Sequence, residues 1–278
     1  MKAIEQFPAI YPDVHAQKLA DFFAGRKRAP DAAKRLADEL ATLKTFYILC
    51  FTNRCGSNFL AQALASEGRI RQAGENLNFD AVQHQCDRLG LGSYDEYLAW
   101  LVRQLKGPEK VFGCKASAGQ LIHLYNAGVL EKVKDKLRFV HISRRQPVDQ
   151  GISMLIASRT RKWTSTDAGV QADDIRYDPK ELIPIIEALN RQNAAFTVLF
   201  DMFGIKPTPV LYERLVADPA RVVRRVGRHL GLPNLKFVPE KVVYERQADL
   251  VNLRIRADIA EDFALADEFA KDDGEDAN

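Results

Sequence analysis

Residues 45–60, Thr-Phe-Tyr-Ile-Leu-Cys-Phe-Thr-Asn-Arg-Cys-Gly-Ser-Asn-Phe-Leu, restrict the fold of this chain more than any other stretch. An apolar β-run from Phe46 to Phe51 stops at a polar turn, Thr52-Asn53-Arg54-Cys55-Gly56-Ser57. Helical spacing follows, with Phe59, Leu60, Ala63 and Leu64 on one stripe. A strand, a glycine-containing turn and a helix N-terminus together form an anion cradle. The first N–H groups of the helix have no intrahelical acceptor, and the aligned peptide dipoles favour negative charge there. The turn lacks the Lys before its Ser that a nucleotide-hydrolysing P-loop requires. Arg54 supplies the cation instead, with no magnesium-holding carboxylate nearby. The expected ligand is a phosphate-like group that arrives without a metal.

The rest of the chain alternates in the same way. Residues 1–44 read as a helical N-terminal extension, with apolar residues at Leu19, Phe22, Phe23, Leu36, Leu40 and Leu43 at helical spacing. These helices would cover either the chain's own core or a second subunit, which would make a homodimer. A capped helix is expected over 93–106, strands over 111–115 and 137–143, and a helix opened by Pro147. A long helix over 181–203, a strand from Pro209 through Tyr212-Glu213, a helix from Asp218-Pro219 and a last helix near 248–269 follow. Strands alternating with helices imply an α/β fold: a three-layer, mostly parallel sheet with helices on both faces. One α/β domain over 45–270 is expected, and the acidic tail over 271–278 is expected to be disordered. Ligands in such sheets sit beyond the carboxyl ends of the strands.

Composition closes several other routes. A hydrophobic content of 46% is ample for a core, and a net charge of +3 does not argue for nucleic acid. Cys50, Cys55, Cys86 and Cys114 show no zinc-like spacing and read as buried, reduced thiols. No secretory h-region and no membrane-length apolar run is present in the sequence, so a soluble, cytoplasmic protein is expected.

A second constellation lies at 144–153. Arg145 leaves the third strand, and Ser153 lies eight residues later inside the following helix. From Pro147 to Ser153 that helix rises roughly 9 Å. A guanidinium at its base and a hydroxyl one to two turns up could grip one phosphate from two sides. With the 52–57 turn, the pair describes a ligand with two separated anions, one at each strand end. That is the outline of 3′-phosphoadenosine 5′-phosphosulfate (PAPS).

At this point the chain resembles a family. The stretch Thr52-Asn53-Arg54-Cys55-Gly56-Ser57-Asn58-Phe59-Leu60 is similar to the Ser-x-Arg-Ser-Gly-Ser-Thr-Leu-Leu loop of bacterial PAPS-dependent sulfotransferases of the trehalose 2-sulfotransferase type. Arg144-Arg145 through Gln150 and Ser153, continuing to Thr160 and Trp163, resembles that family's Arg-Arg-Asp-x-x-x-Gln-Ala-Val-Ser segment and its Thr-x-x-Trp. Gly113-x-Lys115, Tyr212-Glu213-x-Leu215 and Arg246-Gln247-Ala248-Asp249 match further motifs in order. The chain departs from the pattern at Cys55, Asn58, Gln146-Pro147 and Ala118.

The resemblance implies a P-loop-like phosphosulfate-binding loop and a sulfotransferase that moves a sulfuryl group from PAPS to a hydroxyl, without a metal. The family-level acceptor is a carbohydrate or glycolipid-like molecule. Arg54, Cys55, Gly56, Ser57 and Asn58 would hold the phosphosulfate; Arg145, Ser153 and Arg246 would hold the 3′-phosphate. Arg54 would also stabilise transition-state charge. Related enzymes place a Glu shortly after the first helix of the fold, which nominates Glu75 as the general base, with His84 and His123 as rivals. Acceptor loops are expected over 76–92 and 158–178. Lys115 would face the sulfate or snorkel from a strand end, and Trp163 would stack on a base or line the acceptor pocket. Two other readings remain open: a P-loop-type kinase or phosphotransferase, and a non-catalytic binding protein on the same scaffold. No nucleic-acid partner is expected.

Overall fold

A computed structural model describes residues 14–163, 175–243 and 250–263. The strands are β1 (Thr45–Cys50), β2 (Val111–Ala116), β3 (Leu137–Ser143) and β4 (Thr208–Leu211). The helices are α1 (Val14–Ala24), α2 (Ala32–Ala41), α3 (Ser57–Ala65), α4 (Phe79–Leu89), α5 (Tyr94–Leu105), α6 (Ala118–Asn126) and α7 (Val129–Lys132). They continue with α8 (Pro147–Thr160), α9 (Pro179–Met202), α10 (Tyr212–Ala217), α11 (Pro219–His229) and α12 (Leu250–Phe263).

The sheet is parallel, in the order β2-β1-β3-β4. All six residues of β1 and of β2 are buried, so these strands are covered on both faces. Phe46, Ile48 and Cys50 share one core cluster with Leu36 and Leu40 of α2, Leu98 and Val102 of α5, and Phe196 and Phe200 of α9. Tyr47 and Leu49 point to the opposite face by strand alternation and are equally buried. The N-terminal helices are thus part of this core: Leu19 of α1 and Leu36 of α2 are 2% and 1% exposed. Tyr47 pairs with Gly113 across β1 and β2. A Cβ on Gly113 would lie 2.1 Å from the Tyr47 ring, so only glycine fits there.

Strand order decides where a ligand can sit. From β1 the chain crosses to β2 on one side, then returns over β1 to β3 on the other. The loops leaving the carboxyl ends of β1 and β3 therefore diverge, which opens a crevice between two neighbouring strands. Register confirms that both ends lie at one edge: Cys50 pairs with His141, two residues before β3 ends at Ser143.

Two compact units are distinguished, residues 1–145 with 191–242 and residues 146–190 with 243–278. The sheet and the 52–57 turn belong to the first. Within the second, α8 packs on α12 around Ile152, Leu155, Leu182, Val251 and Ile255. Gly151 of α8 lets Ile186 approach; a Cβ there would meet that side chain at 2.5 Å.

Two sequence expectations are corrected. Residues 76–92 are not an open loop: α4 occupies Phe79–Leu89. Val82 and Cys86 bury at i and i+4, a helical period that polar Asp80, Gln83, Gln85 and Asp87 obscure in the sequence. Tyr212 and Glu213 do not extend β4 either; they open α10, because β4 ends at Leu211.

Candidate active site

The turn after β1 has the shape that the sequence implies. Arg54 and Gly56 both adopt left-handed backbone, at φ 62° and 88°. For Arg54 this conformation is costly, and such strain collects where a backbone must be aimed at something. Gly56 is the N-cap of α3 and gives its helix no side-chain cap. Ser57 is therefore not the cap but the first helical residue, 5% exposed. The first N–H groups of an α-helix have no intrahelical acceptor, and those of α3 follow directly on this turn. Thr52 is 1% exposed, and its hydroxyl donates to Asn193 Oδ1 of α9 at 3.1 Å. Asn193 has no sequence signal; it lies 141 residues from the turn, on a helix that reads as plain core. Cys55 is fully buried, and burial pushes its thiol above the usual range against the opposing pull of Lys115 and Ser57. A thiol held protonated is a packing group, not a nucleophile.

On the β2 side, the segment after α3 returns to the same edge. Gly74 bridges to Cys114 in parallel fashion, and Lys115 N–H donates to the Gly74 carbonyl at 3.0 Å. This places Glu75 beside the carboxyl end of β2. Lys115 is 1% exposed, and its ammonium donates to Glu75 Oε1 at 2.6 Å and to Asn58 Oδ1 at 2.7 Å. The same ammonium lies 4.4 Å from the centre of the Phe51 ring. A buried cation is tolerated only when paired and hydrogen-bonded, and these three partners meet that need. Glu75 is 39% exposed, so one side of its carboxylate remains accessible. Its Oε2 accepts from Asn78 Nδ2 at 3.0 Å. Lys115 thus joins the nominated base to Asn58, the second residue of α3, a link that the sequence places 40 and 57 residues apart. Of the histidine rivals, His84 is exposed on α4, and His123 packs edge-on against Tyr94 at 4.7 Å.

On the β3–β4 side, the Tyr212 ring lies against the turn. A Cβ on Gly56 would be 2.4 Å from Tyr212 Cδ2. The Arg144 guanidinium lies 4.8 Å from the centre of the same ring. Arg145 N–H donates to Glu213 Oε1 at 3.0 Å, while its side chain is exposed. So Arg54, Gly56, Ser57, Asn58, Glu75 and Arg145 all gather at one edge of the first unit. Ser153 belongs to the second unit, half-buried on α8. Arg246 lies outside the described residues, as do residues 164–174 of the second expected acceptor loop. Trp163 is 43% exposed.

A sequence profile of the Stf0 sulphotransferases matches residues 46–255, which spans all four strands and both arginine motifs. The chain belongs to the Stf0 sulfotransferase family. Sulfuryl transfer is therefore its general chemistry. Among solved structures, a sulfotransferase from Alicyclobacillus acidocaldarius matches at 17% identity, covering 86% of this chain and 90% of that one, with a TM-score of 0.34. Comparison with the curated proteins returns no match. Among the described residues, no helix of this sulfotransferase is long and apolar enough to cross a membrane, and no group of three or more His, Cys, Asp or Glu could hold a metal.

Proposed function

We propose that this sulfotransferase uses PAPS as its donor and transfers the sulfuryl group to a hydroxyl of a carbohydrate or glycolipid-like acceptor, with Glu75 as general base. The observation that carries the donor reading is the adjacency of two cationic loops on neighbouring parallel strands, β1 and β3, at the point where strand order reverses. A nucleotide with a 5′-phosphosulfate and a 3′-phosphate has two anions to place, and each loop offers a guanidinium. In this reading Arg54 and the N–H groups of residues 55–58 hold the phosphosulfate. Cys55 contributes backbone only, since its thiol is buried. Arg145 takes the 3′-phosphate; the assignments of Ser153 and Arg246 rest on the resemblance of their segments.

Glu75 supports the base assignment by position: an accessible carboxylate oxygen beside the loop that would carry the sulfuryl group. It would take the acceptor's proton as the new S–O bond forms and the bond from sulfur to the phosphate oxygen breaks. Arg54 and the α3 N–H groups would stabilise the charge that gathers on that leaving oxygen. Lys115 holds Glu75 and Asn58 in one frame, which fixes the base relative to the donor loop.

Thermal denaturation with PAPS, 3′,5′-adenosine bisphosphate, 5′-AMP and ATP, followed by turnover on a panel of sugar and lipid hydroxyls beginning with trehalose, tests this reading. Stabilisation that requires the 3′-phosphate supports the donor, since a ligand bound only by the folded state raises its stability. A preference for Mg-ATP with indifference to the bisphosphate would contradict it.

A further inference from the structure

We infer that Tyr212 and Glu213, at the corner between β4 and α10, are positioning residues that lock the two anion loops at one fixed separation, so that the two ends of the donor bind cooperatively. This rests on the donor reading above and adds to it a role for two residues that need not touch the donor.

The geometry has three parts. The Tyr212 ring occupies the space that a side chain at position 56 would fill, so the turn after β1 packs directly on the ring. The same ring lies 4.8 Å from the Arg144 guanidinium, on the loop after β3. The next residue, Glu213, accepts the Arg145 N–H through Oε1 at 3.0 Å. One dipeptide therefore touches both loops: the first through packing on Gly56, the second through a cation–ring contact and a backbone hydrogen bond. Glu213 Oε2 is buried without a hydrogen-bond partner, so the carboxylate meets the loop through Oε1 and the Arg145 amide. Because that amide is engaged by Glu213, Arg145 is left to meet an anion with its exposed guanidinium.

The energetic consequence follows from preorganisation. A ligand with two anions at a fixed spacing binds well only if its two receptors already stand at that spacing. A ligand with one anion is indifferent to the spacing. Loosening the corner should therefore weaken a bisphosphate by more than the combined loss seen for the two monophosphates, and that excess is a coupling free energy between the loops.

Calorimetric titration of 3′,5′-adenosine bisphosphate, 5′-AMP and 3′-AMP against wild type, Tyr212→Phe, Tyr212→Leu and Glu213→Leu reads the coupling. In Tyr212→Leu and Glu213→Leu, the fold-loss for the bisphosphate should exceed the product of the two monophosphate losses by at least about fivefold. Tyr212→Phe keeps the ring and should bind all three ligands as wild type does. A bisphosphate loss equal to or below that product overturns the coupling, because the loops then act independently or the side chains contact the ligand directly. If Tyr212→Leu does not fold, as judged by circular dichroism, Glu213→Leu carries the same comparison. Failure of the donor reading has a different signature: wild type itself would bind the bisphosphate no more tightly than 5′-AMP.

Discussion

At the β2 side of the sheet's edge a buried ammonium ties Glu75 to Asn58, whereas at the β3–β4 side a phenol ring and one backbone N–H do the tying. The first region is ionic and almost closed to water at its centre. The second pairs no ammonium with a carboxylate: a guanidinium lies on a ring, a carboxylate accepts one backbone N–H, and the Arg145 side chain stays exposed. The difference matches the two tasks proposed above for these loops. Bond making and breaking need charge held in a dry, fixed frame, because electrostatic interactions are strong only where water is excluded. Gripping the far end of a nucleotide needs reach and spacing, which packing supplies. If this contrast is right, substitutions at the β2 side should change rate and stability, while those at the β3–β4 side should change donor affinity.

The largest effect should come from Glu75→Gln. The amide oxygen still accepts from Lys115, so the frame survives, but the base is gone. Turnover should fall by about 10²–10⁴. Calorimetry should find the affinity for 3′,5′-adenosine bisphosphate unchanged; an active variant would place the base elsewhere. Arg54→Ala should come next, with turnover lower by about 10²–10³ as one preorganised donor is lost. An equal loss of ground-state donor binding and of rate would show that Arg54 serves binding alone.

The ionic frame also predicts an asymmetry in stability. Glu75→Ala strands a cation that is 1% exposed, and should cost about 3 kcal/mol in urea denaturation. Lys115→Met leaves behind a carboxylate that is 39% exposed and can turn to water, and should cost only about 1 kcal/mol. The reverse order would mean that the pair is not buried as described. On the other side, Gly56→Ala meets both a left-handed φ of 88° and the Tyr212 ring. It should cost about 1–2 kcal/mol of stability from the backbone conformation alone, with a fall in bisphosphate affinity that Glu75→Gln does not show.

Between these regions, on β3, His141 packs against Phe196 and Phe200, and burial pushes its imidazole from the ordinary 6.5 down to about 4. Its folded pKa is depressed, so the unfolded chain binds the proton first. The stability linked to His141 is present above pH 6.5 and is lost as pH falls toward 4. The loss should amount to about 3 kcal/mol across that window. His141→Leu should flatten the pH dependence of the urea midpoint there. A wild-type midpoint unchanged between these limits would contradict the burial.

Much of this arrangement was legible in the sequence. The β1 turn was readable because an apolar run, a glycine and a helical stripe follow each other within sixteen residues. Arg145 was readable because it follows the apolar run of β3. The helix α4 was hidden by its polar majority, and α10 by an apolar Val-Leu-Tyr run that continues the β4 pattern. What a linear reading could not supply is which side chains meet. Lys115 was visible as a strand-end cation, but its simultaneous hold on Asn58 and Glu75 needs the pairing of β1 with β2 and the return of residue 74 to that edge. Asn193 and the Tyr212 ring reach the turn from helices more than a hundred residues away, where no local pattern distinguishes them from ordinary packing.

The account stands on one nucleotide bridging the β1 and β3 loops without a metal. Calorimetric titration of the wild-type protein with 3′,5′-adenosine bisphosphate and with 5′-AMP, each in excess EDTA, tests it most directly. The account predicts bisphosphate binding at least about tenfold tighter than 5′-AMP, the gain expected from a second charge-assisted anion contact, and no weakening by EDTA. Equal affinities, or binding that appears only when magnesium is restored, would contradict it.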